Sequence, residues 1–282
     1  RIVRNLLMGG QYLHDHMVHF YHLHALDWVD VAGALEADPN ATAALAHFIS
    51  PDAPAMDFAS TKARLNEFVA SGKLGPFAGG YWGHPAYALT PEENLLLVTH
   101  YLYALREQTK AARMHALFGA KNPHTQSLRV GGVTCRNEIN GSRISEFRSL
   151  LSGLRNFVDT VYLSDVKYLA TRYRDWCRYG SSQNYLCYGD FPLGANEPAD
   201  FYFPRGVIFD RNLTKVQNVD VSLIYEHVAR SWYAGVTARH PSRGETLPDY
   251  TDYDTEARYS WLKAPRYAGD RKSTRLNSSH GY

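Results

Sequence analysis

The residues best suited to chemistry lie near the start of the sequence, where five histidines and one aspartate fall within eleven positions. They are His14, Asp15, His16, His19, His22 and His24. The surrounding stretch, residues 11–28, is too apolar and aromatic for a solvated tag and too rich in titratable groups for an ordinary core helix. Imidazoles and carboxylates at helical spacing can bind a metal ion or handle protons. The segment therefore predicts a metal site or a proton-handling site.

Helical geometry predicts which of these side chains act together. At about 100° per residue, Asp15, His19, His22 and Leu26 share one face of a helix. On a buried face each polar group needs a hydrogen bond, a metal or a partner, because unpaired burial costs roughly 1–3 kcal/mol per group. A plainer interpretation stays open, in which the imidazoles are core groups that donate to backbone or carboxylate oxygens.

A second candidate segment is the turn at residues 118–126, where Gly119 is predicted to end a helix. Four polar residues crowd around a proline there: Lys121, Asn122, His124 and Gln126. The plain interpretation is a capped connection whose polar residues are solvated. The functional interpretation is a polar surface at a partner interface or site.

A third segment, residues 258–267, alternates basic and aromatic side chains. These are Arg258, Tyr259, Trp261, Lys263, Arg266 and Tyr267. Such a strip can bind single-stranded RNA. The net charge is only +2, from 30 basic and 28 acidic side chains, so the composition gives no bias toward nucleic acid. We interpret the segment as an interface or a core lining.

Other catalytic classes find no support in the sequence. It holds no G-x-S-x-G, Walker, G-x-G-x-x-G or H-E-x-x-H motif. The three cysteines, Cys135, Cys177 and Cys187, form no C-x-x-C pair and have no histidine partner nearby in sequence. We expect three buried or half-buried thiols.

The elements that must position these residues are mostly long helices. Thr90-Pro91-Glu92-Glu93 is the clearest start, because threonine caps, proline takes the first helical position and Glu93 closes a capping box. That helix is expected to reach Phe118. Periodicity and stop signals predict the other helices over residues 2–35, 40–49, 58–71, 143–179 and 220–233.

The remaining segments carry loop and strand signals. Residues 73–89 are predicted as a loop, 130–135 as a short strand or buried turn, and 184–218 as alternating strands and turns. The chain has 282 residues, enough to bury a sizeable core, and no run of 18 apolar residues. We predict a mainly α (α+β) fold, a long-helix bundle with β-rich excursions after residue 180.

The two ends of the sequence suggest an internal fragment. The chain begins at Arg1, without methionine, inside a helical pattern. Residues 271–282 differ in composition from the aromatic-rich segment before them, and we interpret them as a non-native tail. We expect one domain fragment over residues 1–270, followed by this tail.

Three segments together resemble the large subunit of nickel–iron hydrogenases. RNLLMGGQYLHDHMVHFYHLHALDWVDV resembles a long helix of that family. ALREQTKAARMHALFGAKNPHTQ followed by VGGVT is similar to its central motif, and RYSWLKAPRY looks like a segment further downstream. The resemblance covers about residues 1–270, in the right order. It implies the fold of that large subunit.

The resemblance implies an activity and its cofactor. Such enzymes cleave H₂ heterolytically, or run the reverse, and pass two electrons to iron–sulfur clusters in a small partner subunit. A nickel–iron centre, with CO and cyanide ligands on the iron, is implied for the full-length subunit. The family holds these metals with four cysteines in two C-x-x-C pairs, which this sequence lacks. We therefore expect the fragment to bind neither metal and to be inactive alone.

Two residues match the motifs of the family. Asp15 matches the aspartate of its HDH motif, which lies in the outer shell above the metals. There it would handle charge and protons beside an arginine from the missing C-terminal part. His124 matches the histidine of its NPH motif, expected at the small-subunit face near the first cluster.

The resemblance also implies a location at the membrane or in the periplasm through the partner subunit, with the cytoplasm as the alternative. We expect no nucleic-acid partner and no direct membrane span. One alternative function is a non-catalytic binding or assembly protein that keeps the helical bundle without the metals. Another is a histidine-rich zinc or di-iron protein, which needs Glu-x-x-His motifs on paired helices that the sequence does not contain.

Overall fold

The computed structural model describes residues 1–77, 87–194, 200–254 and 257–268. Its α-helices are α1 (Ile2–Met17), α2 (Ala25–Trp28), α3 (Pro39–Ile49), α4 (Phe58–Ala70), α5 (Pro91–Gly119), α6 (Gly141–Phe157) and α7 (Leu163–Arg172). Two π-helical segments, Val18–Leu23 and Val158–Tyr162, continue α1 and α6. The prediction of a mainly α fold is confirmed.

The described strands are short and pair antiparallel in twos. β1 (Leu128–Arg129) pairs with β2 (Gly132–Val133), β3 (Tyr185–Cys187) with β6 (Gly206–Ile208), β4 (Asp190–Pro192) with β5 (Phe201–Phe203), and β7 (Ile224–His227) with β8 (Ala264–Tyr267). The chain forms two compact units. The first, Arg1–Arg178, contains α1 to α7 and the β1–β2 hairpin, and the second begins at Tyr179.

Helix α5 begins where the sequence predicts it. The Glu93 backbone N–H donates to Thr90 Oγ1 at 3.3 Å, and the Thr90 N–H donates to Glu93 Oε2 at 2.7 Å. This capping box pairs two donors that the first helical turn leaves open. The helix ends at Gly119, one residue beyond the prediction, and Ala120 follows in the left-handed region with φ of 65°.

Helix α5 also organises the core of the first unit. It packs against α1, α3, α4 and α6. One hydrophobic cluster includes Leu7, Met17, Met114, Phe118 and Phe157. A second includes Val29, Leu65, Leu95, Leu96 and Tyr173. Burial of each such side chain stabilises the fold by roughly 1.5–3 kcal/mol, so α5 is held from several sides.

The helix predicted over residues 2–35 is split into pieces. Its Gly9-Gly10 pair does not interrupt α1, because Gly10 lies where α1 crosses α5. A Cβ there would lie 3.4 Å from Met114 Cε and 3.6 Å from His115 Cβ. The helical run ends at Val29, whose backbone is extended, and a 3₁₀ turn follows over Gly33–Glu36.

Two shorter helices are confirmed, with aspartate caps. Asp38 accepts a hydrogen bond from the Asn40 N–H at 2.8 Å before α3, and Asp57 accepts one from the Ser60 N–H at 2.8 Å before α4. The helix predicted over residues 143–179 is interrupted by the second π segment, and its α-helical part ends at Arg172.

The strand predictions are confirmed and the last helix prediction is wrong. A hairpin occupies residues 128–133, and strands β3 to β6 lie in the region predicted to alternate strands and turns. Residues 220–233 form no α-helix; they contain a 3₁₀ turn, Val221–Leu223, followed by β7 and by isolated bridges at Ser231 and Tyr233. Strand β7 pairs with β8, with Ile224 opposite Tyr267. This distant partner outweighs the local helical pattern.

Some sequence predictions lie outside the described residues. The tail at residues 271–282 is one, and residues 78–86 of the loop predicted at 73–89 are another. The extent of the domain over residues 1–270 stays a prediction. Among the described helices, none combines the length and apolarity of a membrane crossing.

Candidate functional site

The histidine-rich segment does not follow one regular helix. After α1 the chain continues as a π helix over Val18–Leu23. A π turn holds more residues than an α turn, so side chains before and after it no longer share a face at 100° spacing. Tyr21 is the buried polar side chain here. The prediction of one buried face is wrong, since Asp15 and His19 are exposed and His22 is half-buried.

Asp15 lies at the surface of helix α1. Its side chain is 60% exposed, and its Oδ1 lies 3.5 Å from Nδ1 of His14, at the limit of a hydrogen bond. An exposed pair of this kind contributes about 0–1 kcal/mol. The carboxylate is therefore held loosely and is accessible from solvent.

The histidines of the segment have separate surroundings. Nδ1 of His24 lies 3.0 Å from Asp27 Oδ2, and the His19 and His24 rings lie 4.5 Å apart. Burial lowers the pKa of His22, and the charge of His14 lowers it further. Among the described residues, no three His, Cys, Asp or Glu side chains are grouped so that they could hold a metal ion. The geometry does not support a metal site on this segment.

A buried polar network crosses the first unit close to this segment. The Tyr21 hydroxyl donates to Asp165 Oδ2 at 2.8 Å, and Nδ1 of His100 lies 2.8 Å from Asp165 Oδ1. Tyr21 is 2% exposed, Asp165 1% and His100 3%. Burial raises the pKa of Tyr21 well above its usual range, and the charge of Asp165 adds to the effect. The network ties the π segment to α5 and α7.

Sequence reasoning missed this network. His100 interrupts the apolar run LLLVTHYL of α5, which is a signal of a buried polar group. Asp165 gives no comparable signal, because its partners lie 65 and 144 residues away in sequence. Such a carboxylate and imidazole pair fixes the orientation and tautomer of the ring.

A second buried carboxylate has a structural role. Glu93 closes the capping box of α5, accepts a hydrogen bond from the Tyr168 hydroxyl and pairs with Arg172 Nε at 3.0 Å. Burial, together with the Glu93 carboxylate, raises the pKa of Tyr168 to about 12. One carboxylate oxygen of Glu93 thus caps α5, and the other joins α5 to α7.

The turn at residues 118–126 is ordered by its backbone. Ala120 and His124 have positive φ angles of 65° and 64°, and the Asn122–Pro123 peptide bond is cis. The Gln126 N–H donates to the Gly119 carbonyl at 3.0 Å, which closes the turn. The polar residues Lys121, His124 and Gln126 are exposed. The turn therefore presents His124 to solvent on a defined backbone.

The segment at residues 258–267 contains side chains in ion pairs, a buried strand residue and an exposed aromatic ring. Strand β8 carries the buried Tyr267, while Trp261 is 46% exposed and stacks on Tyr250 with ring centroids 6.0 Å apart. Lys263 Nζ pairs with Glu226 at 2.9 Å, and Arg258 Nη1 pairs with Asp249 at 2.6 Å. Two of the three cations of the strip, Arg258 and Lys263, therefore already have acidic partners.

The cysteines are three free thiols. Cys135 is buried in the first hydrophobic cluster, as predicted, but Cys177 and Cys187 are exposed. The expectation of three buried or half-buried thiols is wrong for these two, because they lie in a 3₁₀ turn and a short two-stranded pair that cover little surface.

The first unit also contains an apolar cavity of about 280 Å³. Leu26, Val29, Leu65, Leu97 and Tyr101 are among its lining residues. Such a lining favours apolar occupants. Burial raises the phenol pKa of Tyr101, so this described lining residue stays protonated at neutral pH.

Comparison with known proteins gives one consistent result. A family model described as nickel-dependent hydrogenase matches residues 1–274. The uptake hydrogenase large subunit of Rhizobium leguminosarum bv. viciae is 42% identical over 302 residues, covering 95% of this chain and 50% of that protein. The quinone-reactive Ni/Fe-hydrogenase large chain of Wolinella succinogenes is 37% identical, with the same two coverages.

Solved structures agree with the sequence comparison. The Ni-Fe-Se hydrogenase from D. vulgaris Hildenborough, in its as-isolated oxidized state, superposes with a TM-score of 0.68 at 29% identity. The match covers 95% of this chain and 46% of that one. The chain therefore spans about half the length of the relatives it matches.

Proposed function

This chain belongs to the nickel-dependent hydrogenase family, and we propose that it is part of a catalytic large subunit. The proposed reaction is the reversible heterolytic cleavage of H₂ into protons and electrons, with the electrons passed to an iron–sulfur small subunit. The family match over residues 1–274 carries this proposal. Because the chain spans half the length of its relatives, the activity is that of the complete subunit, and we expect the chain alone to be inactive.

The residues of this chain do not fit the metal centre that the family implies. Three free cysteines, none in a C-x-x-C pair, are too few for a four-thiolate ligand set, and the described residues contain no other cluster that could hold a metal. The nickel–iron centre and its CO and cyanide ligands therefore belong to the complete subunit in this proposal. This chain would supply outer-shell and interface residues to that subunit and no metal ligand.

Asp15 is the residue of this chain that we place nearest to the chemistry. Its exposed carboxylate on α1 is open to a group outside the described residues. An arginine beside it would keep the carboxylate charged by a strong, charge-assisted hydrogen bond. In this role Asp15 holds and moves protons in the outer shell of the centre.

The test of Asp15 uses the complete large subunit assembled with its small subunit. We expect Asp15→Asn to lower H₂ oxidation at least tenfold, since loss of a positioned proton-handling group typically costs about 10²–10⁴-fold. Nickel content should stay unchanged, because Asp15 is not a ligand. Asp52→Asn, at another exposed aspartate, is the control and should leave turnover unchanged. Equal turnover in both variants would remove Asp15 from the proposal.

His124 is placed at the face that meets the small subunit. It is exposed on an ordered turn, as an interface residue of a separated chain should be. We expect His124→Ala to impair assembly or electron transfer to the native acceptor, with nickel content retained. The control is His47→Ala on the exposed side of α3. Wild-type rates with the native acceptor in His124→Ala would exclude this role.

The same proposal places the assembled enzyme in the periplasm or at the membrane through its partner subunit. The uptake and quinone-reactive names of the relatives support it. The alternative is a non-catalytic binding or assembly protein. The complete reading frame separates the two, because a catalytic subunit must encode one C-x-x-C pair upstream of Arg1 and another near its true C-terminus.

A further inference from the structure

His115 is a buried imidazole in the last part of α5, where α1 crosses it. It is 4% exposed and has no part in the proposed reaction. Two glycines enclose it: a Cβ at Gly10 would lie 3.6 Å from His115 Cβ, and a Cβ at Gly119 would lie 3.2 Å from His115 Cε1. With both backbones this close, the ring has little freedom to move.

The ring makes one hydrogen bond to the turn that follows α5. Nε2 of His115 lies 3.1 Å from Thr125 Oγ1. Nδ1 is fully buried and has no partner with hydrogen-bond geometry among the described residues. Thr125 is half-buried and directly follows His124, so the bond connects the core of the α1–α5 crossing to the residue beside the exposed histidine.

Two charged side chains of α1 and the backbone of the turn act on the ring. Burial lowers the pKa of His115, and the charge of His14 on α1 lowers it further. Asp15 on α1 and the backbone of Lys121 in the turn act in the opposite direction. The balance favours the uncharged ring in the folded protein. His115 is therefore within electrostatic reach of the segment that carries Asp15 and bonded to the turn that carries His124.

We propose that His115 is a positioning residue. Its hydrogen bond to Thr125 holds the turn carrying His124 on α5, and its packing against Gly10 holds that end of α5 against α1, the helix carrying Asp15. The functional importance of this link rests on the proposed function, but the link itself does not. A single buried residue would then set the spacing between the proton-handling side of the subunit and its partner-facing side.

Hydrogen exchange of the Gln126 amide tests the link without any activity measurement. This amide closes the turn on Gly119. In the full chain we expect Thr125→Val and His115→Phe each to speed its exchange about fivefold, the effect of one lost hydrogen bond. The double variant should exchange no faster than the faster single one, because both changes remove the same bond. Thr125→Ser should restore protection.

A pH series separates positioning from simple packing. As pH falls below about 6.5, the ordinary histidine pKa, protonation of the buried ring is penalised and the turn should open more often. His115→Gln can still reach Thr125 but cannot titrate in this range, so its Gln126 amide should stay protected and lose this pH dependence. Unchanged exchange in Thr125→Val, or strictly additive effects in the double variant, would overturn the proposal. If circular dichroism shows that His115→Phe does not fold, the comparison of Thr125→Val with Thr125→Ser tests the proposal.

The assembled enzyme separates this inference from the proposed function. If the link orders the partner-facing turn, Thr125→Val should slow electron transfer to the native acceptor several-fold and leave nickel content unchanged. Faster amide exchange with wild-type turnover would support the link and remove His124 from the proposed function. Wild-type exchange would reject the link, whatever the turnover.

Discussion

The Asp165 carboxylate accepts hydrogen bonds from two buried groups, so its removal leaves both of them without a partner. We expect Asp165→Ala to lower the free energy of unfolding by about 3–5 kcal/mol, the usual cost of breaking a buried pair. Asp159→Ala is the matched control in the same helical region. Asp159 is 58% exposed and pairs loosely with Arg155 at 3.4 Å, so its removal should cost about 0–1 kcal/mol.

Urea unfolding of both variants, followed by circular dichroism, measures the difference. Similar losses in the two variants would mean that the Asp165 network does not stabilise the fold.

Because of Tyr21, the same network should change how the free energy of unfolding depends on pH in alkaline solution. Its folded-state pKa is raised above the usual tyrosine value of about 10. The folded state thus keeps a proton that the unfolded state loses. This contribution to stability is complete below pH 10 and is lost as pH rises further.

Tyr21→Phe cannot ionise, so above pH 10 its free energy of unfolding should fall less steeply than that of the wild type. The difference is at most about 1.4 kcal/mol per pH unit. Urea titrations between pH 8 and 11 measure it, with the exposed Tyr202→Phe as the control. Parallel pH dependences of Tyr21→Phe and the wild type would show that this phenol ionises normally.

Single residues were predictable where a motif marks them. Asp15 and His124 stand in HDH and NPH motifs, and their roles stay predictions. The His100–Asp165 pair and the His115–Thr125 bond were not predicted, because each depends on helices that meet only in the folded chain. Helical spacing also misplaced His19 and His22, since it assumes an α turn where the chain forms a π turn.

At the scale of elements, the α1–α5 crossing depends on a residue without a side chain. We expect Gly10→Leu to push α1 away from Met114 and His115 and to destabilise the chain by about 1–3 kcal/mol. Gly153→Leu, at an exposed position of helix α6 with nothing within 4 Å of a Cβ, should instead stabilise by up to about 1 kcal/mol. Thermal melts should therefore shift in opposite directions. A shift in the same direction would contradict the close packing at Gly10.

Elements were predicted well where local signals and tertiary contacts agree. The capping box at Thr90 and the aspartates at Asp38 and Asp57 fixed three helix starts, because each cap pairs its donors locally. The helix predicted at residues 220–233 failed because β7 pairs with a strand much later in the chain. Local propensity contains no information about such a partner.

At the scale of the whole molecule, the two units differ in how they are stabilised. Both hydrophobic clusters lie within residues 1–178. The described strands of the second unit have at most four residues and pair in twos, which is marginal without further support. We expect residues 1–178 alone to unfold cooperatively with a helical circular dichroism signal.

Residues 179–282 alone should show no cooperative transition in the same experiment. A sharp transition in that piece, or none in residues 1–178, would contradict this assignment of stability. The family, in contrast, was predictable at this scale from three motifs in the right order, and the match over residues 1–274 confirms it.

The π segment at Val18–Leu23 makes this region tolerant of one particular change in chain length. A π turn takes up more residues than an α turn, so removing one residue between Met17 and His24 would let the segment relax to an ordinary α-helix with the flanking turns near their present orientation. Asp15 would keep its side of the bundle, and a variant shortened there should fold with its acidic group in place. The same deletion inside regular α1, between Asp15 and the π segment, would instead turn Asp15 by about 100°.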